Sequence, residues 1–206
     1  MKFSRQGAFA RHLFFLLLAM ASVGFAAPLT AEAETCSLGA PLLSRTEPPV
    51  ERPHLFCGEV NGRDRGSGYH HRPGGRDADG ARIGAVIERN GATGVYVATG
   101  IAVRQDGIWH EKRGISSFYP DRCAPAQVIA SIAHAAANAI CRYPNGKWRG
   151  PSAPESDGNV GATTYCRGDD GSPLTLEGYW RSRAERIVRT AYPLAHPRPN
   201  AACEAR

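Results

Sequence analysis

The chain has 206 residues, 42% of them hydrophobic, and a formal net charge of +6. That is enough for one domain with a proper core. The charge is too mild to indicate a nucleic-acid partner by itself, although it is compatible with a phosphate-bearing substrate.

At the N-terminus, Lys2, Arg5 and Arg11 precede an almost unbroken apolar run from Leu13 to Ala27, and Gly24 and Ala26 are small residues placed for cleavage after Ala26. This pattern predicts a secretory signal peptide over 1–26, too short and wrongly flanked for a spanning helix. Its removal takes three basic and no acidic residues from +6 and leaves +3. The mature chain of about 180 residues is then expected to be secreted or periplasmic, with no stable membrane association after signal cleavage.

Residues 27–53 carry Pro41, Pro48, Pro49 and Pro53 without periodicity, which predicts an irregular N-terminal arm tied down through Cys36. Residues 61–80 are rich in Gly, Arg and Asp around His70-His71 and predict a loop. RIGAVIERN and GVYVATGIAVR are β-branched runs separated at Asn90-Gly91, a hairpin signal, and DGIWHEK predicts a further strand opened by a turn. CAPAQVIASIAHAAANAICR is the strongest helical pattern. Pro125 suits the first helical position, Val128, Ile129, Ile132, Ala136 and Ile140 make an apolar stripe, and Pro144-Asn145-Gly146 ends it. A loop is expected over 149–160, then strands at GATTYC, LTLEGYW and RIVRTAYP. One helix followed by grouped strands predicts an α+β fold with antiparallel sheets.

Six cysteines (Cys36, Cys57, Cys123, Cys141, Cys166, Cys203) in an exported chain predict three disulfides, with fifteen connectivities open. A direct Cys123–Cys141 bridge is excluded if the two flank a helix. At about 1.5 Å rise per residue they would stand roughly 25 Å apart, whereas a bridge needs Cα atoms within about 7 Å. With no CxxC or HxxxH spacing, a structural zinc site is not expected.

Taken singly, the candidate chemical groups are weak. A lone histidine such as His54 is more often structural, His70-His71 in a Gly-rich loop reads as a solvated pair, and Lys112 as a surface lysine. In order along the chain, however, HLFCGEV, then GYH with His70 sixteen residues after His54, then Lys112 before SSFYP, and finally TAYPL form a four-part pattern. This pattern resembles the bacterial EndoU endoribonuclease family over about residues 54–194, leaving 195–206 as a C-terminal tail. GVYVA, the Trp109 segment and KWRG…LEGYW share the resemblance.

The resemblance implies an endoribonuclease that cleaves single-stranded RNA by attack of a 2′-hydroxyl, leaving a 2′,3′-cyclic phosphate, with uridylates as candidate cleavage sites. It places His70 as base, His54 as acid and Lys112 as electrostatic clamp, with base and acid exchangeable. Imidazole suits both proton transfers because its pKa near 6.5 allows one ring to be neutral while another is charged. An ammonium stabilises the charge gained by a phosphorane-like transition state.

Ser116, Thr190 and Tyr192 are implied in substrate binding. Thr190 and Tyr192, two apart, share a face on a strand, where a ring can stack on a base and a hydroxyl can bond its edge. His71 is a further candidate substrate contact, since which of the two adjacent rings enters the site is open. Cys57 is expected to fix the His54 segment through a disulfide. The resemblance requires no cofactor and leaves manganese stimulation open. It further implies a toxin or a scavenger of extracellular RNA, with a cognate immunity protein as an expected partner of a toxin. A disulfide-stabilised binding module without activity and a histidine-rich metal binder are the competing readings. The joint presence of His54, His70 and Lys112 argues against the first, and the lack of ligands at fixed spacings against the second.

Overall fold

The computed structural model describes residues 42–155, 164–182 and 184–198. The expected signal peptide, Cys36, Cys203 and the end of the tail lie outside the described residues. The fold is α+β, with antiparallel sheets and one long helix.

The elements run α1 (Arg52–Phe56), β1 (Glu59–Val60), β2 (Gly66–Ser67), a 3-10 turn, β3 (Ala81–Arg82), β4 (Ala85–Arg89), β5 (Tyr96–Thr99), β6 (Ala102–Gln105), β7 (Ile108–Glu111) and β8 (Ser116–Phe118). Then come α2 (Pro125–Ala137), β9 (Cys141–Arg142), β10 (Lys147–Pro151), β11 (Thr175–Ser182) and β12 (Ile187–Pro193). They form sheets ordered β12-β11-β10-β9, β3-β6-β7 and β4-β5-β8, with β1-β2 as a small ribbon.

The helix is shorter than its sequence pattern predicts. Pro125 opens it and the Gln127 side chain accepts from the Ala124 N–H at 2.8 Å. It stops at Ala137, where Asn138 caps it and its amide donates to the His134 carbonyl. Ile140, expected in the apolar stripe, is 62% exposed. Cys141 instead pairs with Arg149 across β9 and β10, so strand pairing takes the residues that periodicity assigned to a last helical turn. The same pairing corrects the loop expected over 149–160, because 149–151 belong to β10. Thr164–Cys166, expected as the end of a strand, form a turn. RIGAVIERN divides into β3 and β4, and GVYVATGIAVR into β5 and β6, each crossing from one three-stranded sheet to the other. At the expected hairpin, Asn90 accepts from the N–H groups of Ala92 and Thr93, making a longer turn than a two-residue Asn-Gly loop.

Val128, Ile132 and Ala136 of α2 pack on Trp148, Leu176, Val188 and Ala191 of the four-stranded sheet, all at most 1% exposed. Each larger apolar side chain buried there contributes about 1.5–3 kcal/mol. Gly150 lets the helix lie close, since a Cβ there would strike the Ala135 carbonyl. A second cluster (Tyr69, Tyr96, Ile101, Val103, Phe118) lies under the two smaller sheets. The described part of the N-terminal arm is built into the domain: Val50 is fully buried, and Glu51 N–H donates to the Val188 carbonyl at 2.9 Å. No described helix is long and apolar enough to cross a membrane.

Cys123 is bonded to Cys166, 43 positions away in sequence, with Cα atoms 5.4 Å apart. Cys57 and Cys141 are also disulfide-bonded, so no Cys123–Cys141 bridge exists.

Candidate active site

Two short segments bring His54 and His70 together. Leu55 and Phe56 anchor α1 in the core, fixing His54 on it. The chain leaving β2 then lies along α1: Tyr69 N–H donates to the His54 carbonyl and His70 N–H to the Leu55 carbonyl, both at 2.9 Å. Gly68 makes this approach feasible, because at φ +73° it occupies the left-handed region and a Cβ would collide with the His54 carbonyl. Tyr69 also has a positive φ of 60° and is held there by a fully buried ring whose hydroxyl donates to Asp77 at 3.0 Å. The outcome is a turn that directs His70 towards His54, with ring centroids 6.4 Å apart.

The cleft between these segments, β8 and β12 has a volume of about 600 Å³. His54, His70, Lys112, Ser116, Thr190 and Tyr192 all line it. The Lys112 ammonium donates to the Gly68 carbonyl at 2.9 Å and to the Ser116 hydroxyl at 2.6 Å. Tyr192 stacks on His70 with 5.3 Å between centroids and 27° between planes. The Thr190 hydroxyl is buried and has no hydrogen-bond partner among the described residues. The Ser117 hydroxyl donates to the Pro193 carbonyl, tying β8 to β12 across the cleft floor.

The electrostatics differ from group to group. His70 is 6% exposed, and burial chiefly holds its pKa well below 6.5. The Lys112 charge and His54 add to this, while the hydrogen bond to Ser117 opposes it. That hydrogen bond joins His70 Nδ1 to the Ser117 carbonyl at 2.9 Å. Burial also lowers Lys112, to about 8. His54 Nδ1 stands 3.0 Å from a Glu59 carboxylate oxygen, without the alignment of a hydrogen bond. Contact with His54 is the main reason the Glu59 carboxyl lies below its ordinary value, and Arg189 adds to it against the opposing effect of burial.

His71 is not among these groups. It is 1% exposed, its Nε2 donates to the Cys123 carbonyl at 2.8 Å, and its ring meets Phe56 and Tyr119 edge-on. Burial pushes its pKa down to about 4, so the ring is neutral at ordinary pH. The expectation of His71 as a substrate contact is therefore corrected: the Cys123 carbonyl and the rings of Phe56 and Tyr119 hold this second ring in the core.

Three residues at the site carry no role in the sequence reading. Glu59 is the last motif residue of HLFCGE, Ser117 supplies a backbone carbonyl that no motif can signal, and Glu177 lies on β11 behind Tyr192. Among the described residues no three His, Cys, Asp or Glu side chains gather to hold a metal ion.

Two imidazoles facing one cleft with an ammonium beside them can accept a proton, donate a proton and stabilise an anion. The family model for the bacterial EndoU nuclease matches residues 50–195. No match was found among curated proteins or among solved structures.

Proposed function

The chain belongs to the bacterial EndoU nuclease family, and from that premise and the cleft geometry we propose that it is an exported endoribonuclease cutting single-stranded RNA by internal transesterification. The observation that carries the reading is the contrast between the two histidines. His70 is neutral with Nδ1 committed to Ser117, which leaves its Nε2 lone pair as a base. His54 has its Nδ1 against the ionised Glu59.

In this mechanism His70 takes the proton of the 2′-hydroxyl. The 2′ oxygen attacks phosphorus, the bond to the 5′ oxygen breaks, and His54 protonates the departing oxygen. The products are a 2′,3′-cyclic phosphate and a 5′-hydroxyl. Lys112 lies beside the same cleft and stabilises the charge gained on the phosphoryl oxygens. Thr190 offers its unpaired hydroxyl to a base edge and Ser116 a second hydroxyl. The Cys123–Cys166 bridge supports an oxidising compartment.

The test is direct: the purified, oxidised protein is incubated with defined single-stranded RNAs and the new ends are identified. Cyclic phosphate and 5′-hydroxyl ends are expected. A 5′-phosphate end, or intact RNA, would rule the mechanism out.

A further inference from the structure

Behind the cleft, three residues stand side by side on three adjacent strands. Arg149 of β10 faces Glu177 of β11 in register, and Glu177 faces Tyr192 of β12. Their side chains are joined in the same order. The Arg149 guanidinium donates to Glu177 at 3.0 Å, the Lys147 ammonium is 3.2 Å from the same carboxylate oxygen, and the Tyr192 hydroxyl donates to the other oxygen at 2.8 Å. The row ends on the tyrosine ring stacked over His70.

Glu177 is only 7% exposed. A buried ion cluster is weak evidence for stability, since well-packed apolar replacements are often as stable or more so. It does supply direction. A carboxylate fixed by two cations accepts the phenol at one point and so fixes the tilt of the tyrosine ring. A proton-transfer group needs its geometry held to about 0.5 Å and 10–20°. The Ser117 carbonyl pins one edge of the His70 ring, and the Tyr192 face limits its rotation.

We propose that Glu177 is a positioning residue for RNA cleavage: through the Tyr192 hydroxyl it holds the ring that packs on His70 and keeps the base aimed into the cleft. This rests on the reading of His70 as the base. Tyr192 thus has a role on its His70 side in addition to any contact with substrate.

The titratable groups facing His70 are Lys112, His54 and Tyr192. Loosening the tyrosine leaves the first two in place but admits water to the histidine ring. Since burial is the main cause of its lowered pKa, water must raise that pKa towards 6.5.

The experiment uses Tyr192→Phe, Glu177→Gln and the double variant in the full oxidised protein. Cleavage of a defined RNA is followed over pH, and the His70 ring is titrated separately by NMR. Each single variant is expected to lower kcat about ten-fold, the scale of one charge-assisted hydrogen bond, with KM changed by less than about three-fold. The double variant should be no worse than the poorer single one. The His70 titration and the acid limb of the rate profile should move to higher pH in all three. Losses that multiply in the double variant, or an unmoved His70 titration in a folded variant, would overturn the proposal. Tyr192→Phe keeps the ring volume and decides the matter if Glu177→Gln does not fold. A wild-type protein that leaves RNA intact while its His70 titration responds to Tyr192→Phe would sink the proposed function and leave the Glu177–Tyr192–His70 coupling standing.

Discussion

His70 donates its Nδ1 proton to the Ser117 carbonyl across 2.9 Å. A carbonyl oxygen only accepts, so the neutral ring keeps its lone pair on Nε2. This one backbone contact makes the ring a base with a defined direction, and burial keeps it unprotonated.

The pH dependence of cleavage follows with its sign. Lowering the pH abolishes the base only when it passes the His70 pKa, which lies well below 6.5. Raising the pH through about 8 removes the Lys112 charge. The kcat/KM profile should therefore show no acid limb from His70 until well below 6.5, and the Lys112 contribution should be lost as the pH rises through about 8. Lys112→Arg keeps its charge at high pH, so any activity it retains should lack the Lys112 fall near 8. An unchanged fall near 8 in that variant would remove Lys112 from the mechanism.

His54 and Glu59 should behave as one unit. His54→Ala and His70→Ala are each expected to lower kcat by about a hundred-fold or more, the usual scale for general acid–base groups. Glu59→Gln removes the charge beside His54 Nδ1 and should cost about ten-fold in wild type but little more once His54 is gone. Steady-state rates of the singles and the double measure this. Full additivity would show that Glu59 acts elsewhere, for example on Arg189.

The nucleophile and the metal can be tested on one substrate. Replacing the 2′-hydroxyl by hydrogen at the cleavage position should abolish cutting without abolishing binding. Chelation should leave substantial activity, because the two imidazoles supply the proton transfers that a metal-bound water could otherwise provide. Cutting of the deoxy substrate at a comparable rate would refute internal attack.

The two adjacent histidines should separate cleanly. His71→Ala leaves the Cys123 carbonyl unpaired in a buried site and is expected to cost about 1–3 kcal/mol of stability, with kcat of the folded protein falling far less than in His70→Ala. Replacing both Cys123 and Cys166 by serine opens a long loop and should cost about 2–4 kcal/mol. Urea unfolding of the oxidised protein reads both. An unshifted midpoint for His71→Ala would contradict its buried role.

The ordered pattern from HLFCGEV to TAYPL, the α+β class and the core stripe of Val128, Ile132 and Ala136 are local properties, and they are legible in the sequence because composition and spacing encode them. The sequence leaves open which of the adjacent rings, His70 or His71, enters the site. Which of the two faces the cleft is decided by the positive φ of Gly68 and Tyr69 and by the pocket formed by Phe56, Tyr119 and Cys123, which come from distant parts of the chain. The helix end at Ala137 depends on β10 being present to pair with Cys141, and the Cys123–Cys166 bridge on a loop that packs beside the start of α2. The Arg149–Glu177–Tyr192 row exists only through the register of three strands. Strand register and absolute facing are set by long-range packing, and a linear sequence carries no signal for a contact until the partner strand is in place.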